Sequence, residues 1–355
     1  MSTGVGGAST AGVDLDDGAA LALADTGGLL RGAASAGAQI RATAAAIAEG
    51  GLGDLAHHST RGVVLAAGPG PARHAGAILA ELASRAAAVP VISATIVPRW
   101  VGPLDVVVVL ADDPGDLELA ESVARAGTRG AAVVMATPAQ GPLAASGGGR
   151  ALRFPPRVPV PAGMGFTGFV ALGSAVFSEL GVMPAVDLPA LADSVDAQAA
   201  RDHPAMELFA SPARVLAARL QHRELVLAGA GAVTTMLARL AADSLLRLAG
   251  VHVAATDLGE VLASSHRWGA NNDLVSDPMF DDPDLDGLRR RGLLVGVLAT
   301  RQEYAGATQR SRALREIDML TAVGPGEELA GGEVAEVSLL AARLQTAAVY
   351  LGLAR

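Results

Sequence analysis

Two short glycine loops and one polar cluster are the parts of this 355-residue chain that could do chemistry. Gly68-Pro69-Gly70 and Gly229-Ala230-Gly231 each follow an apolar, strand-like run and precede a helix-like one. At such a junction, backbone N–H groups can approach an anion at the positive end of the helix. Arg73 beside the first loop, and Thr234 and Thr235 beside the second, are placed to join that anion. Dinucleotides and small phosphorylated metabolites both use loops of this kind. The dinucleotide fingerprint needs a third glycine and an acidic residue about 20 positions on. Arg73 and Thr234 occupy the third-glycine positions, and the strand after the first loop ends Val91-Ile92-Ser93-Ala94 without a carboxylate. A Rossmann site is therefore rejected, and no cofactor is expected. The plainer alternative is that both loops are tight strand-to-helix turns.

The polar cluster lies between residues 260 and 273. Glu260 and His266 form an acid/base pair if a loop brings them together, which Gly259 and a turn at Ser264-Ser265 would permit. The alternative is a solvated loop between helices. Asn271 and Asn272, followed by Asp273, suit sugar hydroxyls, though Asn and Asp clusters also cap helices and form turns. Asp282-Pro283-Asp284-Leu285-Asp286-Gly287 opens like a calcium loop, but Arg290 stands at its ninth position and Leu293 at its twelfth. Calcium is not expected there, and Arg289-Arg290-Arg291 reads as part of a local ion-pair network. His57, His58, His74, His203, His222 and His252 lack metal-ligand spacing, so packing or surface roles are assigned to them and no metal site is expected.

Composition narrows the chemistry further. There is no Cys, which excludes disulfides and thiolate nucleophiles, and no Lys, so all 27 basic residues are Arg. A Schiff base or a lysine proton donor is impossible. The net charge of −9 without a basic stripe argues against nucleic acid, whose affinity comes mostly from phosphate neutralisation. Met1 to Asp17 has no basic-then-apolar pattern, and no run of about 20 uninterrupted apolar residues occurs, so no membrane span is expected and the cytoplasm is the default.

The elements that must position these residues alternate strand and helix. Helical patterning runs from Ala19 to Ala48 in an N-terminal extension, residues 1–55. Strands are expected at 63–67, 89–92, 105–110 and 131–136, then at 225–228, 251–254, 292–298 and 317–323. Val106 to Val109 is a four-valine run that belongs in a sheet covered on both faces. Helices are expected after each glycine loop, at 116–126, 166–180, 187–200 and 207–220, and finally at 333–353, with Pro-rich 154–161 as a connector. Alternation of this kind implies parallel sheets with right-handed crossovers. Val63 to Gly70 resembles Leu225 to Gly231, and each is followed by an amphipathic helix and a short strand, which suggests a duplication. An α/β fold of two subdomains, 56–185 and 186–355, follows, with the two loops expected at the carboxyl edges of separate sheets facing a shared cleft.

Over residues 60–353 the order of elements resembles bacterial bifunctional phosphoglucose/phosphomannose isomerases, which are built from two sugar-isomerase (SIS) subdomains. Segments 98–105, 129–131 and 276–282 resemble the divergent TobH-like branch of high-GC bacteria. That resemblance implies conversion of glucose 6-phosphate or mannose 6-phosphate to fructose 6-phosphate, a sugar phosphate as partner, and a homodimer. It also implies departures. The Ser/Thr-rich phosphate loop after the third strand is replaced by Asp112-Asp113-Pro114-Gly115-Asp116, which keeps Gly115 but whose carboxylates would cap the next helix and repel a phosphate. The family Arg falls near Gly168-Phe169, its catalytic Glu near Leu245-Leu246-Arg247 and its E-x-x-H-N motif is echoed by Glu260, His266 and Asn271-Asn272, while its C-terminal Lys has no counterpart. A non-catalytic carbohydrate-derivative-binding or scaffold protein of mannose metabolism is the alternative reading.

Overall fold

The computed structural model describes residues 12–53, 55–221, 223–272, 291–314, 316–324 and 329–355, with the backbone alone at 266–272 and 291–292. The N-terminal pattern resolves into three helices, α1 (Gly18–Ala24), α2 (Leu29–Ala34) and α3 (Ala36–Ala48), where one long run was expected. The cause is local. The Asp25 carboxylate accepts from the N–H groups of Leu29 (2.7 Å) and Leu30 (2.8 Å), which starts a new helix and ends the old one.

The first half then runs β1 (Gly62–Ala67), α4 (Pro71–Ser84), β2 (Val91–Ala94), β3 (Asp105–Leu110), α5 (Leu117–Thr128), β4 (Ala132–Ala136), α6 (Pro142–Ser146), β5 (Leu152–Arg153) and α7 (Phe166–Glu179). Helices α8 (Leu188–Arg201) and α9 (Pro212–Leu220) lead into the second half. It contains β6 (Arg223–Gly229), α10 (Ala232–Ala249), β7 (Ala254–Asp257), α11 (Leu258–Asn272), β8 (Arg291–Leu298), α12 (Arg301–Ser311), β9 (Ile317–Leu320) and α13 (Gly332–Leu353). Helix α9 starts five residues later than the pattern predicts, because Ser211 accepts from the Arg214 N–H and Pro212 fixes the entry turn. Strand β7 starts three residues later than expected. Helix α10 continues to Ala249 and closes on the left-handed Gly250, so residues 251–253 return the chain to the sheet.

All strand pairs are parallel, in two separate sheets with orders β2-β1-β3-β4-β5 and β7-β6-β8-β9. Stripped of the two-residue β5, the orders are identical, so the duplication inferred from eight residues extends to the topology. Strand residues alternate between two apolar layers. In the first sheet Val64, Ala66, Val107, Val109 and Met135 pack with Leu119 and Val123 of α5. Their neighbours Val63, Leu65, Val106, Val108 and Leu110 face a core that also takes Leu225, Leu227 and Leu298 from the second sheet. The two halves thus share one central core, filled by α4, α7, α9, α10 and α13. Helix α13 is long and apolar enough to cross a membrane, but 83% of its apolar window is buried inside the protein.

Candidate functional site at the first glycine loop

Helices α4 and α10, the two that follow the glycine loops, pack against each other and hold the two halves together. They lie antiparallel. The N-terminus of α4 meets the C-terminal end of α10, where the Arg247 guanidinium lies 3.2 Å from the place a Cβ would take on Gly70. Gly231, at the other end of α10, is therefore sixteen residues or about 24 Å away along the helix. The shared cleft expected from the sequence is corrected on this point: each loop lies at the edge of its own sheet, at opposite ends of the α4–α10 pair.

The two ends are furnished differently. At the second loop, Thr234 Oγ1 accepts from the Gly231 N–H (2.9 Å) and donates to Glu303 Oε2 (3.1 Å). Thr235 donates to the Gly231 carbonyl (2.7 Å), and Glu303 Oε2 also accepts from the Thr300 N–H (2.9 Å). The Glu303 carboxylate, on the first turn of α12, occupies the place beside Gly231 that an anionic ligand would use. Arg85, at the end of α4, is paired with Glu333 at 2.7 Å, and Glu303 and Glu336 face that carboxylate. Gly229, Gly231, Thr234 and Thr235 are thus engaged within the chain.

At the first loop, Gly68-Pro69-Gly70 turns β1 into α4, with Gly70 at a φ of 76° that a side chain would strain. Arg73 is exposed on the first turn of α4. Arg247 lies against Gly70 and Gly163, and no hydrogen bond or ion pair joins its guanidinium to the described residues. The start of α7 that receives it is pinned by Gln345, which donates to the Gly163 carbonyl (2.9 Å), and by Gln39, which donates to the Met164 carbonyl (3.0 Å).

The acidic loop after β3 divides its duties. Asp116 accepts from the Leu119 N–H (3.0 Å) and caps α5, while Asp113 accepts from the Gly115 N–H (2.8 Å). Gly115 therefore serves a tight acidic turn. Asp112 caps nothing. It is solvent-accessible yet set deep in a concavity, and desolvation there pushes its carboxyl above the usual aspartate range while Arg247 pulls it down. The cleft it lines measures about 590 Å³, counting space open to solvent, and its walls are mostly apolar, with Phe154, Pro155, Phe169 and Leu172.

The pair expected from Glu260 and His266 is not assembled by a loop. Both positions lie in α11, six residues and so about 120° apart around the helix, because β7 ends at Asp257 and the helix begins at once. Glu260 is exposed in the first turn and accepts from Ser264 (3.4 Å). The backbones of His266, Asn271 and Asn272 continue the same helix, and their side chains lie outside the description, as do Asp273 and the acidic loop 282–287. Among the described residues no group of His, Asp and Glu is arranged to hold a metal. Two contacts at the first loop were missed, Arg247 against Gly70 and a bond between His74 and Asp243 (2.7 Å). The only local signal for the second is a histidine set in the apolar stripe of α4.

No family model matches the sequence, and no curated protein matches it. Solved structures do resemble the fold. The tagatose-6-phosphate ketose/aldose isomerase of Escherichia coli superposes with a TM-score of 0.64 at 15% identity, covering 96% of this chain and 95% of that one. The C-terminal domain of the glucosamine-fructose-6-phosphate aminotransferase of Francisella tularensis gives a TM-score of 0.57 at 13% identity, covering 91% and 94%. At these identities the likeness is one of fold: an α/β architecture with two parallel sheets flanked by helices and a C-terminal helix.

Proposed function

We propose that the chain binds a sugar phosphate or a related anionic carbohydrate derivative at the first glycine loop, within the glucose 6-phosphate/mannose 6-phosphate to fructose 6-phosphate class of the divergent phosphoglucose/phosphomannose isomerases. The contrast between the two loops carries this reading. Glu303 already supplies an anion at the second, whereas the first presents Arg73 and Arg247 around the same backbone turn. Gly68 and Gly70 let the ligand approach the main chain, and the apolar walls beyond Asp112 suit the C–H faces of a sugar. A charge-assisted bond from Arg247 to a phosphate is worth about 1.5–3 kcal/mol, so Arg247→Ala is expected to weaken glucose 6-phosphate or mannose 6-phosphate roughly tenfold to a hundredfold. Isothermal calorimetry reads that change. Equal affinity in the variant, or no heat with any hexose phosphate, defeats the assignment.

A second reading is a non-catalytic binder or scaffold, and Asp112 favours it, because a carboxylate facing Arg247 lowers the affinity for a dianion. A coupled assay for fructose 6-phosphate separates the two, and turnover no faster than buffer selects the binder. The helix that carries Glu260, His266, Asn271 and Asn272 starts beside Gly229, at the second loop, so the acid/base pair and the sugar-hydroxyl contacts read from them do not belong to this ligand site. The same reading carries a cytoplasmic homodimer, which light scattering on the purified protein checks for mass.

A further inference from the structure

The cleft that opens at Asp112 is walled by three segments that lie far apart in the sequence. Ala42 and Ala46 come from α3 of the N-terminal extension, Phe154 and Val160 from the connector, and Phe169 and Leu172 from α7. The polar donors on these walls are engaged within the chain. Thr43 donates to the Gln39 carbonyl (3.0 Å), Gln39 donates to the Met164 carbonyl, and Arg157 makes two bonds to the Glu49 carboxylate (2.8 and 2.5 Å). Asp112 is the exception, since no described residue donates a hydrogen bond to it.

That arrangement selects what the cleft can hold. A sugar carries hydroxyls around its rim, and each one buried without a partner gives up its bonds to water. One face of a sugar can pack on an apolar wall, but its whole edge is not matched by walls of this composition. Two aromatic rings, Phe154 and Phe169, favour a flat unsaturated group instead. The anion site lies next door. Arg247 is set against Gly163, and Asp112 Oδ1 comes within 2.9 Å of the place a Cβ would take on Gly165. Those two glycines are at most about 7 Å apart along the backbone, a span that one sugar ring bridges. The order from the first glycine loop inward is therefore cation, hydrogen-bond acceptor, apolar cleft.

We infer that the ligand of this site is a sugar phosphate whose anomeric carbon carries a flat aromatic group, with the phosphate at Arg247 and the ring between α3, the connector and α7. The inference rests on the sugar-phosphate reading above and narrows its substrate class. Asp112 accepts from a sugar hydroxyl between the two ends, a role that an asparagine would keep. Two sources share this chemistry, an aryl hexoside 6-phosphate and a nucleoside 5′-monophosphate. In both, the bond to the aromatic group prevents the sugar from opening to a carbonyl, so such a ligand is held and not isomerised. The N-terminal extension then has a use, because α3 forms a wall of the site.

Calorimetry on the full-length chain compares glucose 6-phosphate with 4-nitrophenyl glucoside 6-phosphate and with adenosine 5′-monophosphate. At least one aromatic ligand is expected to bind roughly tenfold to a hundredfold tighter than glucose 6-phosphate, the gain of burying a ring in an apolar cleft. The tighter of the two assigns the source, and an aromatic ligand that binds where glucose 6-phosphate gives no heat counts as the same gain. Ala42→Phe fills the cleft from a half-buried position on α3 and is expected to abolish the gain while the Kd of glucose 6-phosphate stays within about threefold. Circular dichroism melts check folding, and Ala46→Leu on the same wall replaces Ala42→Phe if that variant does not fold. Arg247→Ala is expected to weaken all three ligands. Aromatic ligands no tighter than glucose 6-phosphate, or a gain that survives the filled cleft, overturn the inference and leave the sugar-phosphate site standing. An aromatic ligand indifferent to Arg247→Ala, or a filled cleft that weakens glucose 6-phosphate equally, overturns it as well. Absence of heat with all three removes both readings.

Discussion

Asp112 shows how one carboxylate tempers the site it borders. Its neighbours Asp113 and Asp116 are consumed by local N–H groups, as carboxylates at a helix start should be, which leaves Asp112 under the influence of the Arg247 charge. Two expectations follow. Removing its charge with Asp112→Asn should tighten glucose 6-phosphate about fivefold, roughly 1 kcal/mol for one partly screened charge, and calorimetry measures it. The second concerns pH. A carboxyl whose pKa is raised by folding binds more protons when folded, so its effect on stability is most favourable below the ordinary value near 3.8 and is lost as pH rises through the raised one. Melts of Asp112→Asn and wild type should therefore coincide in acid and separate in favour of the variant toward neutrality. A difference that does not change with pH would contradict the burial.

Among the elements, α10 does the most, since its first turn is closed by Glu303 and its last carries Arg247 over the opposite loop. Glu303 also accepts from the Thr300 N–H at the start of α12, so two helix starts depend on one carboxylate. Glu303→Ala should cost about 1 to 2 kcal/mol in urea unfolding, and a loss below a few tenths would show that the second loop does not need its internal anion. Much of this level was legible in the sequence. The four valines of β3 and the repeated strand–glycine–helix unit sit where their patterns place them, because burial on both faces and a tight turn are short-range demands. The span of α11 was not legible, since Gly259 and two serines read locally as turn formers while packing of Leu258 and Val261 on the second sheet holds a helix.

For the whole molecule, the most consequential side chain is one to which sequence reasoning assigned no role. Arg214 of α9 is fully buried, and its guanidinium donates to the carbonyls of Leu15 (2.6 Å) and Pro204 (3.2 Å) while stacking 6.0 Å from the centre of the Tyr350 ring. The Tyr350 hydroxyl in turn donates to the Asp202 carbonyl, so the N-terminal segment, the turn before α9 and the closing helix meet at one charge. Arg214→Met leaves those buried carbonyls without their donor and should cost on the order of 3 kcal/mol in urea unfolding. A change within about 0.5 kcal/mol would mean that water replaces the guanidinium. The central core that joins the two sheets carries such a loss to both halves, although each sheet also has an outer apolar layer of its own.

By itself the amino-acid sequence determined the alternation of strand and helix, the duplication, the absence of thiol and lysine chemistry and the acid turn after β3, because each depends on residue type or on neighbours within a few positions. Only the tertiary structure decided which glycine loop is closed by Glu303, that Arg247 reaches Gly70, and that His74 finds Asp243 169 residues away. Those choices follow from the antiparallel packing of α4 on α10, and pairing of that kind is set by the shape of the common core, which no local pattern of residues records.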